Sequence, residues 1–221
     1  MPADKAKASS PQKGKKGGAL SHQKQKKNKA AGSKKGTGPG FLSLSFCMAL
    51  VAAGAYFLYQ NPEGLEPWTG MRHPNKPYKT FMDFYPYYQE EHTDKTCRLL
   101  HIIGTSIVLT IMAASPSTFV SMALAFVVAY ACCGLFAFMP NGAAEAAVMV
   151  TVFFSTHYFL KRSIKLALVV MLVGYAFAWV GHFFFEQNKP ATFIYPSFSL
   201  MSDFFMTFRV ITQVEPLDPR A

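Results

Sequence analysis

Three of the six histidines stand where they could hold one metal ion. His101 begins one predicted membrane-spanning helix and His182 ends another, and an even count of four spans brings both to the same membrane face. His92 lies nine residues before His101, and a continuous helix would separate the two by about 13 Å. They can converge only if the chain turns between them, which Thr93 and Asp94 favour as good N-cap residues for a new helix.

A carboxylate accompanies these histidines. Glu186 and His182 are four residues apart and share one face of a predicted helix. Three imidazoles and a carboxylate at one membrane face could form a metal cage, since neutral imidazole suits iron, zinc and copper. The spacing alone leaves three unrelated interfacial histidines open as the alternative. Ionisable groups near membrane depth are costly and usually functional, which favours the metal site.

The other histidines and the four cysteines give weaker indications. His157 ends a predicted span beside the positive loop 161–165, on the opposite membrane face, which favours an interfacial side chain that snorkels towards the headgroups. The cysteines show neither a Cys-x-x-Cys pair nor a Cys/His zinc spacing, so small buried hydrophobes are the better interpretation. They are Cys47, Cys97, Cys132 and Cys133.

A membrane must position the histidines, because the chain is too apolar for an ordinary soluble domain. Of its 221 residues 51% are hydrophobic and only 15% are charged, whereas soluble domains carry about 25% charged residues. Apolar stretches long enough to cross a bilayer alternate with turn signals. The sequence therefore predicts an all-α, polytopic helical membrane protein with about five transmembrane helices, at 41–59, 99–115, 119–139, 146–160 and 166–185.

The first 40 residues differ from the rest in charge. Residues 1–40 hold 11 of the 22 Lys and Arg residues and one of the 12 acids, so the formal charge of +10 lies in this segment. Such a polar, Lys-rich segment cannot bury enough surface to fold, and we expect a disordered tail on an anionic cytosolic membrane surface. A nucleic-acid partner is disfavoured because no aromatic residues interleave with the lysines.

The apolar segment 41–59 has two interpretations. A positive run before an apolar stretch also describes a cleaved targeting sequence, but this stretch is longer than a usual signal core, which favours an uncleaved anchor. The chain then divides into the disordered tail 1–40, the membrane anchor 41–59 and a membrane-embedded domain 60–221. With five spans the tail and the loop 161–165 share one side of the membrane, in agreement with the positive-inside rule.

Two stretches of the sequence carry a family pattern. Residues 83–109 contain a YxxxH block followed by RxxHxxG, and residues 174–206 contain a GHxxFExNxPA block. As a pair they resemble the 2-hydroxy fatty acid dioxygenase family, small endoplasmic-reticulum membrane proteins formerly called a domain of unknown function. The matching residues are Tyr88, His92, Arg98, His101 and Gly104 in the first stretch, and Gly181, His182, Phe185, Glu186, Asn188, Pro190 and Ala191 in the second.

The resemblance implies an Fe(II)-dependent enzyme that uses O2 to remove one carbon from a 2-hydroxy fatty acid, in fatty acid α-oxidation and sphingoid base breakdown. It implies that His92, His101 and His182 hold the iron and that the acyl chain lies between helices in the endoplasmic-reticulum membrane. Arg98 is our candidate for pairing with the substrate carboxylate. Glu186 is expected either to bind the metal or to accept a hydrogen bond from an imidazole.

The sequence also departs from the family pattern. Between the two blocks it has about one hairpin more than short members of the family, around 116–165, and an even number of added spans still lets the blocks meet. Ser202 and Phe205 stand where Gly and Arg are expected. Because an added hairpin can create a new partner surface, a non-catalytic multi-span membrane protein with a lipid-binding or scaffold role remains the alternative.

Overall fold

The computed structural model describes residues 41–67 and 69–220, so the predicted disordered tail lies outside the described residues. Within these ranges the chain is all-helical, which confirms the predicted fold class. A π-helical turn, Gly181–Glu186, continues the sixth helix, and a 3₁₀ turn, Ala191–Phe193, precedes the seventh. The helices are α1 Phe41–Gln60, α2 Phe81–Glu90, α3 Lys95–Ala114, α4 Pro116–Leu135, α5 Ala143–Lys161, α6 Lys165–Val180 and α7 Pro196–Ile211.

Five helices among the described residues are long and apolar enough to cross a membrane. Each overlaps one of the five predicted spans, which confirms the polytopic architecture. Large apolar side chains such as Leu42, Leu172 and Phe184 are exposed on them, which suits contact with lipid rather than water. The five helices are Leu42–Gln60, Lys95–Ala114, Pro116–Leu135, Ala143–Lys161 and Lys165–Glu186.

Local sequence signals set the ends of the helices that surround the histidines. Thr80 opens α2 with a capping box in which it exchanges hydrogen bonds with Asp83. Asp94 opens α3 by accepting hydrogen bonds from two backbone amides of the first turn, where a helix start is predicted. Pro116 begins α4, because proline suits the first turn of a helix but cannot continue the preceding one.

The last helix, α7, packs against four other helices of the bundle. α4 packs along α5 and α3 packs along α6, whereas α7 contacts α2, α3, α4 and α5. Buried Glu145 on α5 fixes the start of α7, because its carboxylate accepts hydrogen bonds from the Ser197 amide (2.7 Å) and the Ser197 hydroxyl (2.5 Å). Aromatic side chains fill the space between α2 and α7, and a second apolar cluster, which includes Met149 and Phe153, lies among α3, α4, α5 and α6.

Two glycines allow α3 and the α6 segment to approach closely. A Cβ atom added at Gly104 would lie 2.8 Å from Cβ of Phe177. A Cβ atom added at Gly181 would lie 2.9 Å from Sγ of Cys97 and 3.3 Å from its Cα. Both separations are shorter than ordinary contacts, so larger residues would push apart the two segments that carry His101 and His182.

Candidate metal centre

The three predicted metal ligands come together in the structure. The ring centroids lie 4.7 Å apart for His92 and His101, 4.6 Å for His92 and His182, and 5.1 Å for His101 and His182. All three side chains are buried. One ligand atom from each, together with Sγ of Cys97, forms a group whose members all lie within 4.8 Å of one another. A single ion could therefore contact all three imidazoles.

Three different elements supply these histidines. His92 follows the end of α2, His101 sits in the second turn of α3, and His182 lies in the π-helical turn that continues α6. The Asp94 cap separates His92 from α3, and this break provides the turn that the sequence requires. π-helical turns inside helices are frequent at functional sites, because they displace a side chain from the regular helical register.

Each histidine ring is oriented by a hydrogen bond at Nδ1. Nδ1 of His92 lies 2.6 Å from the Tyr88 carbonyl oxygen, Nδ1 of His101 lies 2.5 Å from Oδ1 of Asp203, and Nδ1 of His182 lies 2.6 Å from Oδ1 of Asn188. All three partners are acceptors, so each Nδ1 carries a proton that it donates. Each Nε2 then keeps its lone pair free, which is the tautomer that metal-binding histidines use.

The Nε2 atoms fit a metal ion. Among the described residues, Nε2 of His92 and Nε2 of His101 are buried without a hydrogen-bond partner. Leaving a buried acceptor unpaired costs about 1–3 kcal/mol, and a shared cation would remove that cost for both atoms. Burial, with the nearby His101 and His182 rings, lowers the pKa of His92 well below its usual value. The ring is therefore neutral at physiological pH, as a metal ligand must be.

Asp203 is the main residue of the candidate metal centre that the sequence patterns do not indicate. Its Oδ1 accepts hydrogen bonds from Nδ1 of His101 and, also at 2.5 Å, from the hydroxyl of Tyr88. The Tyr88 ring in turn stacks on His92, with ring centroids 3.9 Å apart. Asp203 is the only acid on α7, and a lone carboxylate on a largely apolar helix is the signal that could have identified it.

Cys97 belongs to the same group of atoms, although no sequence pattern assigns it to the centre. It lies one helical turn before His101 on α3, and this four-residue spacing is the signal for a shared face. Its Sγ lies against Gly181, and Cys97 does not line the cavity beside the cluster. A buried thiol packs as a small hydrophobe, so the three imidazoles remain our assignment for the metal.

Glu186 contacts the start of α3 rather than an imidazole. Its carboxylate accepts hydrogen bonds from the Asp94 amide and, at 3.3 Å, from the Thr93 hydroxyl. A negative charge at a helix N-terminus is favourable, so this contact fixes the beginning of α3. The acceptor for His182 is Asn188, which also donates to the Glu91 carbonyl at 3.0 Å. The predicted role of Glu186 in catalysis stays a prediction.

Arg98 is buried, and its guanidinium donates hydrogen bonds to three acceptors among the described residues. Nε donates to the His92 carbonyl at 2.7 Å, one terminal nitrogen donates to the Pro216 carbonyl at 2.9 Å, and the other contacts Oε1 of Gln89. Arg98 does not line the cavity. These contacts hold the turn at His92, and the predicted pairing of Arg98 with a substrate carboxylate stays a prediction.

The interfacial interpretation of His157 is wrong. Its side chain is 1% exposed, because Ser163 and Thr118 cover it from the neighbouring loop and from α4. Nδ1 lies 2.8 Å from the Ser163 carbonyl oxygen and Nε2 lies 3.2 Å from the Thr118 hydroxyl. Both ring nitrogens are therefore used, and His157 serves the packing of α4 against α5.

An apolar cavity adjoins the histidine cluster. Tyr88, His101, His182 and Asp203 line its polar part. Apolar side chains from α3, α4, α5 and α6 line most of the remainder, among them Val108, Met122, Met149, Phe153 and Val170. Two of the three imidazoles thus face a space that would admit a largely apolar molecule.

Gly181→Ala should disturb the centre. The new Cβ would meet Cys97, so α3 must move away from the π-helical turn at a cost of about 1–3 kcal/mol. We expect a lower melting temperature and weaker metal binding, measured by thermal unfolding and metal titration in detergent. Gly174→Ala is the matched control, because its new Cβ has only Val108 nearby, at 4.0 Å. Equal metal affinity in the two variants would contradict the role given to this close approach.

The fold and the site together define a class: a helical membrane protein whose helices bring three buried histidines into a cluster that could bind a metal ion. The chain matches the Mpo1-like family, described as 2-hydroxy-palmitic acid dioxygenase Mpo1-like, over residues 78–147 and 145–214. Because this match covers more than half of the 221 residues, the chain belongs to that family, and the predicted resemblance is confirmed. No curated protein and no solved structure matches the chain.

Proposed function

We propose that this protein is an Fe(II)-dependent membrane dioxygenase that shortens 2-hydroxy fatty acids by one carbon. The observation that carries the proposal is the convergence of three buried imidazoles, each oriented through Nδ1, beside an apolar cavity. Membership of the Mpo1-like family supports the substrate class. The reaction would belong to fatty acid α-oxidation and sphingoid base breakdown, in the endoplasmic-reticulum membrane.

Three residues would hold the iron: His92, His101 and His182. Imidazole nitrogens are suitable ligands for iron. Three protein ligands also leave coordination positions open, which a catalytic metal needs for its substrates. When bound, Fe(II) would supply the activation of O2, which no side chain of the protein can provide. The protein residues keep the ligands in place: Asp203 holds His101, Asn188 holds His182, and the Tyr88 carbonyl holds His92.

The cavity would bind the fatty acid with its polar end at the histidines. Its wall is apolar over most of its extent, so it would take the acyl chain from the bilayer without exposing it to water. Ser199 lies on the same wall as Asp203, one helical turn earlier on α7. Its hydroxyl is buried without a partner among the described residues, and it could donate to a carboxylate or hydroxyl oxygen of the substrate.

Turnover of a matched pair of acids tests this proposal. The protein is purified in detergent without oxygen, loaded with Fe(II), and mixed with O2 and either a 2-hydroxy fatty acid or the unsubstituted acid of equal length. We expect O2 uptake and a fatty acid one carbon shorter from the hydroxy acid alone, and neither from the His101→Ala variant. A folded, iron-loaded protein that shortens no 2-hydroxy fatty acid would refute the proposal and favour a non-catalytic lipid-binding role.

A further inference from the structure

The cavity beside the histidines is long in one direction. Its wall includes residues of α6 and its continuation from Val170 to His182, a distance of about 18 Å at 1.5 Å per residue. One leaflet of the bilayer core is about 15 Å thick, which is the length of one lipid acyl tail. The lining of the cavity therefore extends along α6 over a distance comparable to the length of a long acyl chain, with His182 at one end.

Residues of the α4–α5 hairpin line the cavity together with Val170, the lining residue of α6 that is farthest from His182 along the chain. Met122 of α4 and Met149 and Phe153 of α5 line the cavity together with Val170 of α6. Met149 and Phe153 are buried in the second apolar cluster, so this wall is packed core rather than open surface. The hairpin lies in the segment 116–165, which falls between the two sequence blocks that carry the family pattern.

Gly174 leaves the middle of the cavity open. It lines the wall of α6 eight residues before His182, or about 12 Å along the helix. Among the described residues, and apart from its two chain neighbours and its own helix backbone, the only heavy atom within 4 Å of a Cβ added at Gly174 is a methyl carbon of Val108, at 4.0 Å. A larger side chain at this position would therefore meet no backbone obstacle and would extend into the cavity.

We propose that Gly174 and the α4–α5 hairpin set the length of acyl chain that the protein accepts. Gly174 lets a long chain pass the middle of α6, and Met149 and Phe153 stop its terminal methyl group. This inference rests on the proposed function for the identity of the ligand as a fatty acid. It adds residues that determine specificity and that belong neither to the cluster of His92, His101 and His182 nor to the hydrogen-bond partners of these three rings.

Binding measured without turnover tests the proposal. A fluorescent fatty acid is displaced from the full-length protein in detergent by 2-hydroxydecanoic or 2-hydroxyhexadecanoic acid, with iron content and thermal unfolding measured in parallel. We expect Gly174→Leu to weaken binding of the long acid by about tenfold or more, with the short acid little affected. Ala176→Leu, which adds the same side chain at an exposed position of α6, should bind both acids as wild type does.

A second variant tests the role proposed for the α4–α5 hairpin independently. Met149→Ala should extend the preferred chain length beyond that of the wild type, because it removes a lining side chain that is proposed to stop the acyl chain. Wild-type selectivity in both Gly174→Leu and Met149→Ala, or an equal loss of short and long acids in folded, iron-containing Gly174→Leu, would overturn the proposal. If the variants shift binding as expected but no acid is turned over, the proposed function fails and the length selection stands.

Discussion

Replacing either His101 or His182 with alanine should abolish stoichiometric iron binding. Each residue supplies one of three converging imidazoles, and its loss would leave the iron with only two imidazole ligands. Removing a hydrogen-bond partner of a metal ligand already costs about 10–100-fold in affinity, so removing the ligand itself should cost at least that much. The measurement is iron per chain after anaerobic purification and reconstitution with Fe(II).

His157→Ala is the matched control for these two variants. His157 is as buried as His182 and uses both of its ring nitrogens, but it lies outside the cluster. Its loss should lower stability and leave the iron content of the folded protein unchanged. Full iron binding by a folded His101→Ala protein would exclude a site shared by the three histidines.

Replacing Asp203 with asparagine should weaken metal binding by about 10–100-fold without abolishing it. The carboxylate accepts hydrogen bonds from Nδ1 of His101 and from Tyr88, so it fixes the tautomer of one ligand and, through the Tyr88 ring, the packing of His92. Both donors use the same carboxylate oxygen, Oδ1, and a neutral amide oxygen accepts hydrogen bonds more weakly than a charged carboxylate oxygen does. The affinity can be followed by anaerobic titration with Co(II) and its visible absorption.

Glu186→Gln distinguishes the role of Glu186 from that of Asp203. Glu186 contacts Asp94 and Thr93 at the start of α3, so its neutralisation should reduce the free energy of unfolding by about 0.5–2 kcal/mol and leave the metal affinity close to that of the wild type. If Glu186→Gln lost the metal while Asp203→Asn kept it, the two carboxylates would have to exchange their assigned roles.

Much of the architecture follows from the sequence because the bilayer imposes it. Each span needs about 20 apolar residues, so composition alone locates the five long helices. The three candidate ligands can also be found from the sequence, since helix direction and the even number of spans determine which histidines share a face. The N-cap at Asp94 adds the turn that brings His92 beside His101.

The hydrogen-bond partners do not follow from the sequence in the same way. Which acceptor reaches an imidazole depends on side-chain packing between helices that are far apart in the chain, as with Asp203 and His101. Arg98 and Glu186 stand close to the ligands in sequence, which favours direct roles for both. In the structure both side chains make hydrogen bonds to the backbone between α2 and α3, and their direct roles stay predictions. The prediction for His157 is wrong for a related reason, because its ring is buried and forms a hydrogen bond with Thr118 on another helix.

X-ray absorption at the iron edge, on full-length protein loaded anaerobically with Fe(II), tests the central claim most directly. The account predicts a coordination shell of nitrogen and oxygen atoms with scattering from three imidazole rings and none from sulfur. A shell that contains the Cys97 sulfur, or one without imidazole scattering, would contradict a three-histidine centre with positions open to a substrate.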